Sequence, residues 1–441
     1  MKRLLWISLL AVALLCSASK TVYAGSSEER ASVELPRLLE TAAWKNARIS
    51  IAAEKIKQVR EDLNSALSEL RPDLVAGGTA RANNEVRYGR DREETNAFLN
   101  LSQTLYAGGS LTANRQAAQM ALSGQIAEST RSYQEVLYKV RAAYFDCLRA
   151  KAQLNVAGEA LSLSNEHLRQ AEALFKGGMA PRGDVLRVKV SVNQSELDIV
   201  TAQSNLDVAW TALENAVGAR LDKREILKID EQEQIDDLSP PNYTVPADFL
   251  DLALSQRAEI FAYGFYVDRA KALVRAAQGQ KAPRLSLSGR LNSDEDAGSL
   301  ANGEWYVQLD LQWILYDGGE IASNIRKARA AERELYGQIE LVASQITQET
   351  LEAEIKLRAS VARKDLAEEQ MQTSKEDYRI ALRRYDAQMG TNLDVLDARR
   401  ALISSRTEFV NAVYDIAQSQ AGLIYVMGED VPPEGLFDND T

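Results

Sequence analysis

The sequence contains an internal duplication with a period of about 210 residues. The segment LYAGGSLTAN, beginning at Leu105, returns as LYDGGEIASN at Leu315, and Gly218 returns as Gly428. A repeat of fixed period indicates one structural unit present more than once, so two halves of like structure are expected. The predicted segments are a first repeat at 25–218, an irregular connector at 219–249, a second repeat at 250–428 and an acidic C-terminal tail at 429–441.

The N-terminus has the pattern of a secretory signal peptide. Lys2 and Arg3 precede an apolar run that is too short to span a bilayer, and a small residue, Ala24, ends the segment. Cleavage is therefore predicted after residue 24. A lipoprotein anchor at Cys16 is the alternative, but Leu15 stands where that signal needs a small residue.

Composition excludes several classes of function. Cleavage of residues 1–24 removes three positive charges and no negative ones, which takes the formal charge from -11 to -14 and argues against nucleic-acid binding. The mature chain would keep one cysteine, Cys147, interpreted as a buried packing residue, and one histidine, His167, interpreted as a solvated helix residue. With so few ligands and nucleophiles, no metal, no cofactor and no enzymatic activity are expected.

In each repeat the sequence predicts a helix, two strands, a very long helix, a turn and a further helix. Residues 304–316 alternate apolar and polar positions over a length that can cross a bilayer at a tilt. A half-buried strand of a soluble core has the same alternation, but aromatic residues at both ends favour a membrane strand. Four strands cannot close around a lumen, so several chains are expected to share one barrel. The predicted membrane-interface aromatics are Tyr106, Trp305, Trp313 and Tyr316.

The helices are too long for an ordinary globular domain. Residues 110–176 contain no proline, and their apolar positions recur at close to the average spacing of a coiled-coil seam. Helices predicted at 36–71 and 184–217 are each about half as long, so antiparallel hairpins are expected, with strands at one end and helical turns at the other. The turns are placed at Gly177-Gly178 and at 388–391, which includes Gly390 and Thr391. A solid coiled-coil scaffold in the periplasm is the alternative to a hollow bundle.

Paired glycines follow the second strand of each repeat, at Gly108-Gly109 and Gly318-Gly319. A glycine-rich turn before a helix can bind phosphate, but neither copy has the spacing of a nucleotide-binding motif. We interpret both pairs as joints between a strand and a helix.

The second helical turn carries two acids, Asp394 and Asp397, on one face of the following helix. Acids in a first turn also favour the helix dipole, Thr391 or Asn392 suits an N-cap, and Arg400 can offset Asp397. The residues alone leave a structural role and a functional acidic ring equally open.

The paired LYxGGxLTAN-like segments, the turn MGTNLDVLDARRAL and the duplication resemble the TolC family of outer-membrane efflux and secretion channels. The resemblance implies a mainly α fold with a small membrane β-barrel contribution from four strands per chain. A homotrimer would span the outer membrane of a Gram-negative bacterium, in contact with outer-membrane lipid, and its helices would form an α-barrel tunnel in the periplasm.

The resemblance also implies a mechanism and partners. The channel would conduct passively what an inner-membrane pump, proton-driven or ATP-driven, exports through a periplasmic adaptor protein. Asp394 and Asp397 match the family's acidic entrance ring, and Asp184 matches an aspartate that helps to hold the entrance closed. The sequence departs from the family at Asn392, where an arginine often stands, and Arg187 replaces the second aspartate of the first turn.

Overall fold

The computed structural model describes residues 34–82, 93–222, 249–292 and 304–437. The predicted signal peptide, most of the predicted connector and the last four residues of the acidic tail lie outside the described residues. The two repeats contain the same elements in the same order. The first repeat consists of α1 (Leu35–Lys45), α2 (Ala47–Ser68), β1 (Asp73–Ala82), β2 (Glu93–Ala107), α3 (Ser110–Lys176) and α4 (Arg182–Val217). The second consists of α5 (Phe249–Gln256), α6 (Ala258–Gly279), β3 (Arg284–Asn292), β4 (Trp305–Gln312), α7 (Glu320–Asp386) and α8 (Asn392–Met427).

The long helices α3 and α7 dominate the structure. Each has 67 residues, which at 1.5 Å per residue gives a length of about 100 Å. Helix α3 packs along α4, and α7 packs along α8, so each repeat forms a long helical hairpin. Helix α6 contacts both α3 and α7, and α8 contacts α3, which joins the two repeats side by side.

The main apolar core lies where α1, α3, α4 and α8 meet. The predicted seam of α3 supplies Tyr133, Val140 and Cys147 to this core, and Cys147 is fully buried as expected. Two smaller clusters lie along α7 and α8, one of them close to the turn between these helices.

The prediction of a single helix at 36–71 is wrong, because a break at Asn46 divides this segment into α1 and α2. The Asn46 side chain accepts a hydrogen bond from the Arg48 N–H, which caps α2, and donates one to the Ala216 carbonyl at 2.7 Å. The second repeat breaks between α5 and α6 at Arg257, whose guanidinium donates to the Val426 carbonyl at 3.3 Å. At each break a side chain therefore donates a hydrogen bond to a carbonyl near the end of the last helix of the same repeat.

The strands form one antiparallel sheet in the order β1-β2-β3-β4. The register aligns Leu74, Leu101, Gly289 and Val307 across the sheet on one face. One residue along, it aligns Asp73, Ser102, Ser288 and Gln308 on the other face. The period-two alternation of each strand therefore adds up to one apolar and one polar face.

The strand predicted at 304–316 ends early. Strand β4 stops at Gln312, opposite Arg284, which is the first residue of its partner β3. Among the described residues, no strand pairs with the chain beyond that point, and the Trp313 indole instead donates to the Lys281 carbonyl at 3.1 Å. Among the described helices, none has a stretch apolar and long enough for membrane crossing.

Candidate functional site

The two helical turns lie side by side at the end of the molecule opposite the sheet. Residues from both turns line a shared cleft, among them Met179, Asp184, Tyr385 and Asn392. The Asn392 side chain, 3% exposed, donates a hydrogen bond to the Asp184 carbonyl at 3.4 Å. The asparagine therefore links the two hairpins of one chain.

Thr391 is the N-cap of α8 and forms a capping box with Asp394. Its side-chain oxygen accepts from the Asp394 N–H at 3.2 Å, and the Asp394 carboxylate accepts from the Thr391 N–H at 2.8 Å. This main-chain hydrogen bond lowers the pKa of Asp394 below its ordinary value. Asp394 therefore has a structural role at the start of α8. Its carboxylate is also exposed and is ionised at neutral pH.

The other two predicted acids differ in their surroundings. Asp397 lies one turn further along α8, is exposed and pairs with Arg400 at 3.1 Å. Asp184 lies in the first turn of α4 and is half-buried in the cleft. The three carboxylates are therefore gathered at the turns, with Asp394 and Asp397 facing solvent.

The backbone of the two turns follows one pattern with different residues. Gly177 ends α3, and Gly178 adopts a left-handed conformation with φ of 74°. The equivalent residue of the second turn is Gln388, with φ of 57°, a conformation that costs a non-glycine residue energy. Gly390 is closely packed, because an added Cβ would come within 3.1 Å of the Arg384 Cβ.

The interpretation of His167 as a solvated residue is wrong. His167 is 1% exposed, and its ring meets Tyr385 edge-on with centroids 5.6 Å apart. Neither ring nitrogen has a hydrogen-bond partner in the described part of the chain. Burial lowers the pKa of His167 to about 4, and the neighbouring Arg399 charge acts in the same direction.

Sequence reasoning missed Arg399, the most deeply buried charge near the turns. It projects from α8 and donates hydrogen bonds to the Ser164 hydroxyl on α3 and the Ser191 hydroxyl on α4. A signal was available, since Arg399 falls on the helix face of Val395 and Leu402, four residues after one and three before the other. A charge on an apolar face is a candidate for a buried contact.

The sheet is the second candidate surface, because none of the other described elements covers its apolar face. Leu311 is 70% exposed, as are Val307 and Leu309 to a similar extent. Exposed Trp305 lies at the end of the sheet far from the helices, opposite Leu291, whereas Tyr106 lies near the helices, opposite Leu285. The six residues between these levels correspond to about 20 Å along the strand.

The glycine pairs lie between the sheet and the long helices. Gly108 and Gly109 connect β2 directly to α3, and all four glycines, including Gly318 and Gly319, have left-handed φ values between 61° and 98°. Trp313 and Tyr316 lie in the longer connection between β4 and α7, and both are exposed. In that connection the Asp317 carboxylate accepts from the Gly319 and Ile321 N–H groups and caps α7.

This combination of paired long helical hairpins and a small sheet is the fold of a class of outer-membrane export channels. The structure of the outer membrane protein VceC from Vibrio cholerae has the same fold, with a TM-score of 0.75 at 22% identity, over 90% of this chain and 96% of that one.

The chain belongs to the outer membrane efflux protein family, whose model matches residues 38–219 and 249–429. It is 26% identical to the alkaline protease secretion protein AprF of Pseudomonas aeruginosa, over 77% of this chain and 70% of the relative. It is 24% identical to the outer membrane protein TolC of Vibrio cholerae, over 97% of this chain and 96% of the relative. The protein is therefore an outer-membrane channel of efflux or secretion, and the prediction of the family is confirmed.

Proposed function

We propose that three copies of the chain join their sheets edge to edge into one membrane barrel. The supporting observation is a four-stranded sheet with one apolar face, whose outer strands β1 and β4 each have one edge unpaired within the described chain. An open edge in lipid leaves main-chain N–H and C=O groups without partners, at a cost of several kcal/mol each. Pairing β4 of one copy with β1 of the next removes every edge and turns the polar face toward the lumen.

The helical hairpins would continue this barrel as a tunnel in the periplasm. Its narrow entrance would lie at the turns, where Asp394 and Asp397 of three copies contribute six carboxylates. A ring of negative charge at a constriction favours cations and repels anions. The entrance would be held nearly closed in the resting state by contacts between the hairpins.

A periplasmic adaptor and an inner-membrane pump would open the entrance and supply the energy. AprF is named for secretion of a protease, and the relative SrpC of Pseudomonas putida is named as a component of a solvent efflux pump. Both classes of cargo fit a passive tunnel, in which the pump selects what is exported.

Planar bilayers test this function. The purified protein should conduct weakly in its resting state and prefer cations, and Asp394→Asn with Asp397→Asn should reduce that preference. The matched control is Asp365→Asn with Glu368→Gln, which changes one exposed and one half-exposed acid on α7 away from the turns and should change selectivity little. An unchanged reversal potential in the turn variant would refute the ring.

Fractionation tests the membrane assignment separately. The protein should resist carbonate extraction and migrate as a heat-modifiable trimer. Release with the soluble periplasmic fraction would instead identify a coiled-coil scaffold without a pore.

A further inference from the structure

We propose that Arg399 is a positioning residue that holds the two helical hairpins of one chain together and thereby keeps the entrance closed. Hairpin 1 is α3 with α4, and hairpin 2 is α7 with α8. The inference rests on the proposed gated tunnel and adds to it the contact that must break when hairpin 2 moves.

The guanidinium of Arg399 connects three of the helices that meet near the turns. It extends from α8 and hydrogen-bonds to Ser164 on α3 and to Ser191 on α4. Arg399 is 6% exposed, and Ser164 is fully buried. Two nitrogen atoms of one rigid, planar group thus fix hairpin 2 to both helices of hairpin 1 at once.

One of the two receiving serines, Ser164, belongs to a feature that the duplication repeats. Ser164 and Ser195 pair across hairpin 1 with their hydroxyl oxygens 2.9 Å apart, and Ser374 and Ser405 pair across hairpin 2 at 2.6 Å. The residue equivalent to Arg399 in the first repeat is Lys189, which is exposed. Within one chain the contact therefore runs only from hairpin 2 to hairpin 1.

The hydrogen bonds of Arg399 are not the arrangement that would stabilise the folded chain most. In the part of the chain that the structure describes, no ion pair joins Arg399 to a carboxylate, and its bonded partners are neutral hydroxyls. Burial lowers the pKa of Arg399, which reflects the cost of desolvating this charge. A buried charge with this cost is better explained by the arrangement it specifies than by the stability it adds.

Its position couples it to the entrance. Arg399 lies seven residues after the start of α8, which places it about 10 Å along the helix from the turn. A surface groove between α4 and α8 runs beside it, lined by Arg187, Asp198 and Arg400 among others. Moving α8 away from α4 would admit water from this groove, which can replace the serine hydroxyls as partners of the guanidinium.

The test compares single-channel conductance with thermal stability in the full-length trimer. Arg399→Met keeps the length of the side chain but removes its donors. We expect the open fraction to rise roughly tenfold, which corresponds to about 1.4 kcal/mol, without a fall in the melting temperature. Ser191→Ala, at a half-buried position, should shift the open fraction in the same direction by less.

Three further measurements make the test decisive. Combining Ser191→Ala with Arg399→Met should add nothing to the open fraction, because both changes remove the same contact. Arg399→Lys should have an open fraction between those of the wild type and Arg399→Met. Arg379→Met removes an exposed arginine that pairs within α7, and it should behave as the wild type.

Two outcomes would overturn the proposal. One is wild-type conductance in folded trimers of both Arg399→Met and Ser191→Ala, and the other is full additivity of the two changes. Failure of the proposed function has a different signature, because the wild-type protein itself would then not conduct.

Discussion

His167 shows how a single residue near the helical turns can make the stability of the fold sensitive to pH. It projects from α3 and is buried against the end of α7, where Tyr385 contacts its ring. Asp184, Asn392 and Arg399 lie nearby. The folded chain keeps this imidazole neutral down to a pKa of about 4, whereas the unfolded chain protonates it near pH 6.5. Below pH 6.5 the unfolded state binds the proton first, so stability falls as the pH is lowered.

We therefore expect His167→Phe to flatten the pH dependence of stability between about pH 6.5 and pH 4. The protein loses stability across this interval, by up to about 3 kcal/mol from this group in each chain. His167 is the one histidine of the sequence, so no other side chain has an ordinary pKa near 6.5. Denaturation followed by circular dichroism at several pH values measures the difference, and an equal slope in wild type and variant would contradict it.

At the scale of elements, successive side chains of strand β4 point to opposite faces of the sheet, one apolar and one polar. Val307 belongs to the apolar face and Gln308 to the polar face, although the two are adjacent in sequence. In the proposed barrel one contacts lipid and the other contacts water in the lumen. The same substitution at these two positions should therefore have opposite consequences.

Val307→Lys should prevent assembly of the trimer in the membrane, because a lysine on the lipid face costs about 2–4 kcal/mol near the bilayer centre. Gln308→Lys is the matched control and should assemble normally, since in the proposed barrel its side chain would face the lumen next to Asp310. The fraction of heat-modifiable trimer in the outer membrane measures both. Equal assembly of the two variants would mean that the faces are assigned incorrectly.

For the whole molecule, a partly buried charge cluster around the buried Arg257 joins the two repeats. Glu259 on α6 accepts from Arg131 on α3 at 2.6 Å and from Arg257 at 2.7 Å, and Arg257 also pairs with Glu349 on α7 at 2.8 Å. Burial by itself would raise the pKa of Glu259, but its hydrogen bonds to Arg257 and the Arg131 charge lower it. The cluster ties α3 of the first repeat to α6 and α7 of the second.

Glu259→Gln should destabilise the chain by about 3 kcal/mol, because it leaves the buried Arg257 and the partly buried Arg131 without their shared counter-charge. Glu352→Gln removes an exposed acid that pairs with Lys356 on its own helix, and it should cost less than about 1 kcal/mol. Denaturant unfolding compares the two variants. Similar losses in both would show that the cluster is no stronger than a surface pair.

Local patterns predicted much of this architecture because they are periodic. The limits of α3 at Ser110 and Lys176 coincide with the range predicted from the absence of proline and the position of glycines. The strand faces followed from alternation, and the membership of the family followed from the duplication and the second turn. The helix breaks at Asn46 and Arg257 were not predicted, because neither residue interrupts a helical pattern and each break depends on a distant carbonyl.

The sequence by itself determined the repeated order of elements, the limits of the long helix α3 and the acids at the turns. Each of these depends on residues close together in the chain. Only the tertiary structure decided that His167 and Arg399 are buried, that Asn392 bonds to the Asp184 carbonyl and that β4 ends at Gln312. The reason is physical: a helix of 67 residues meets different neighbours along its length, so its own periodicity cannot say which polar side chains another helix will cover.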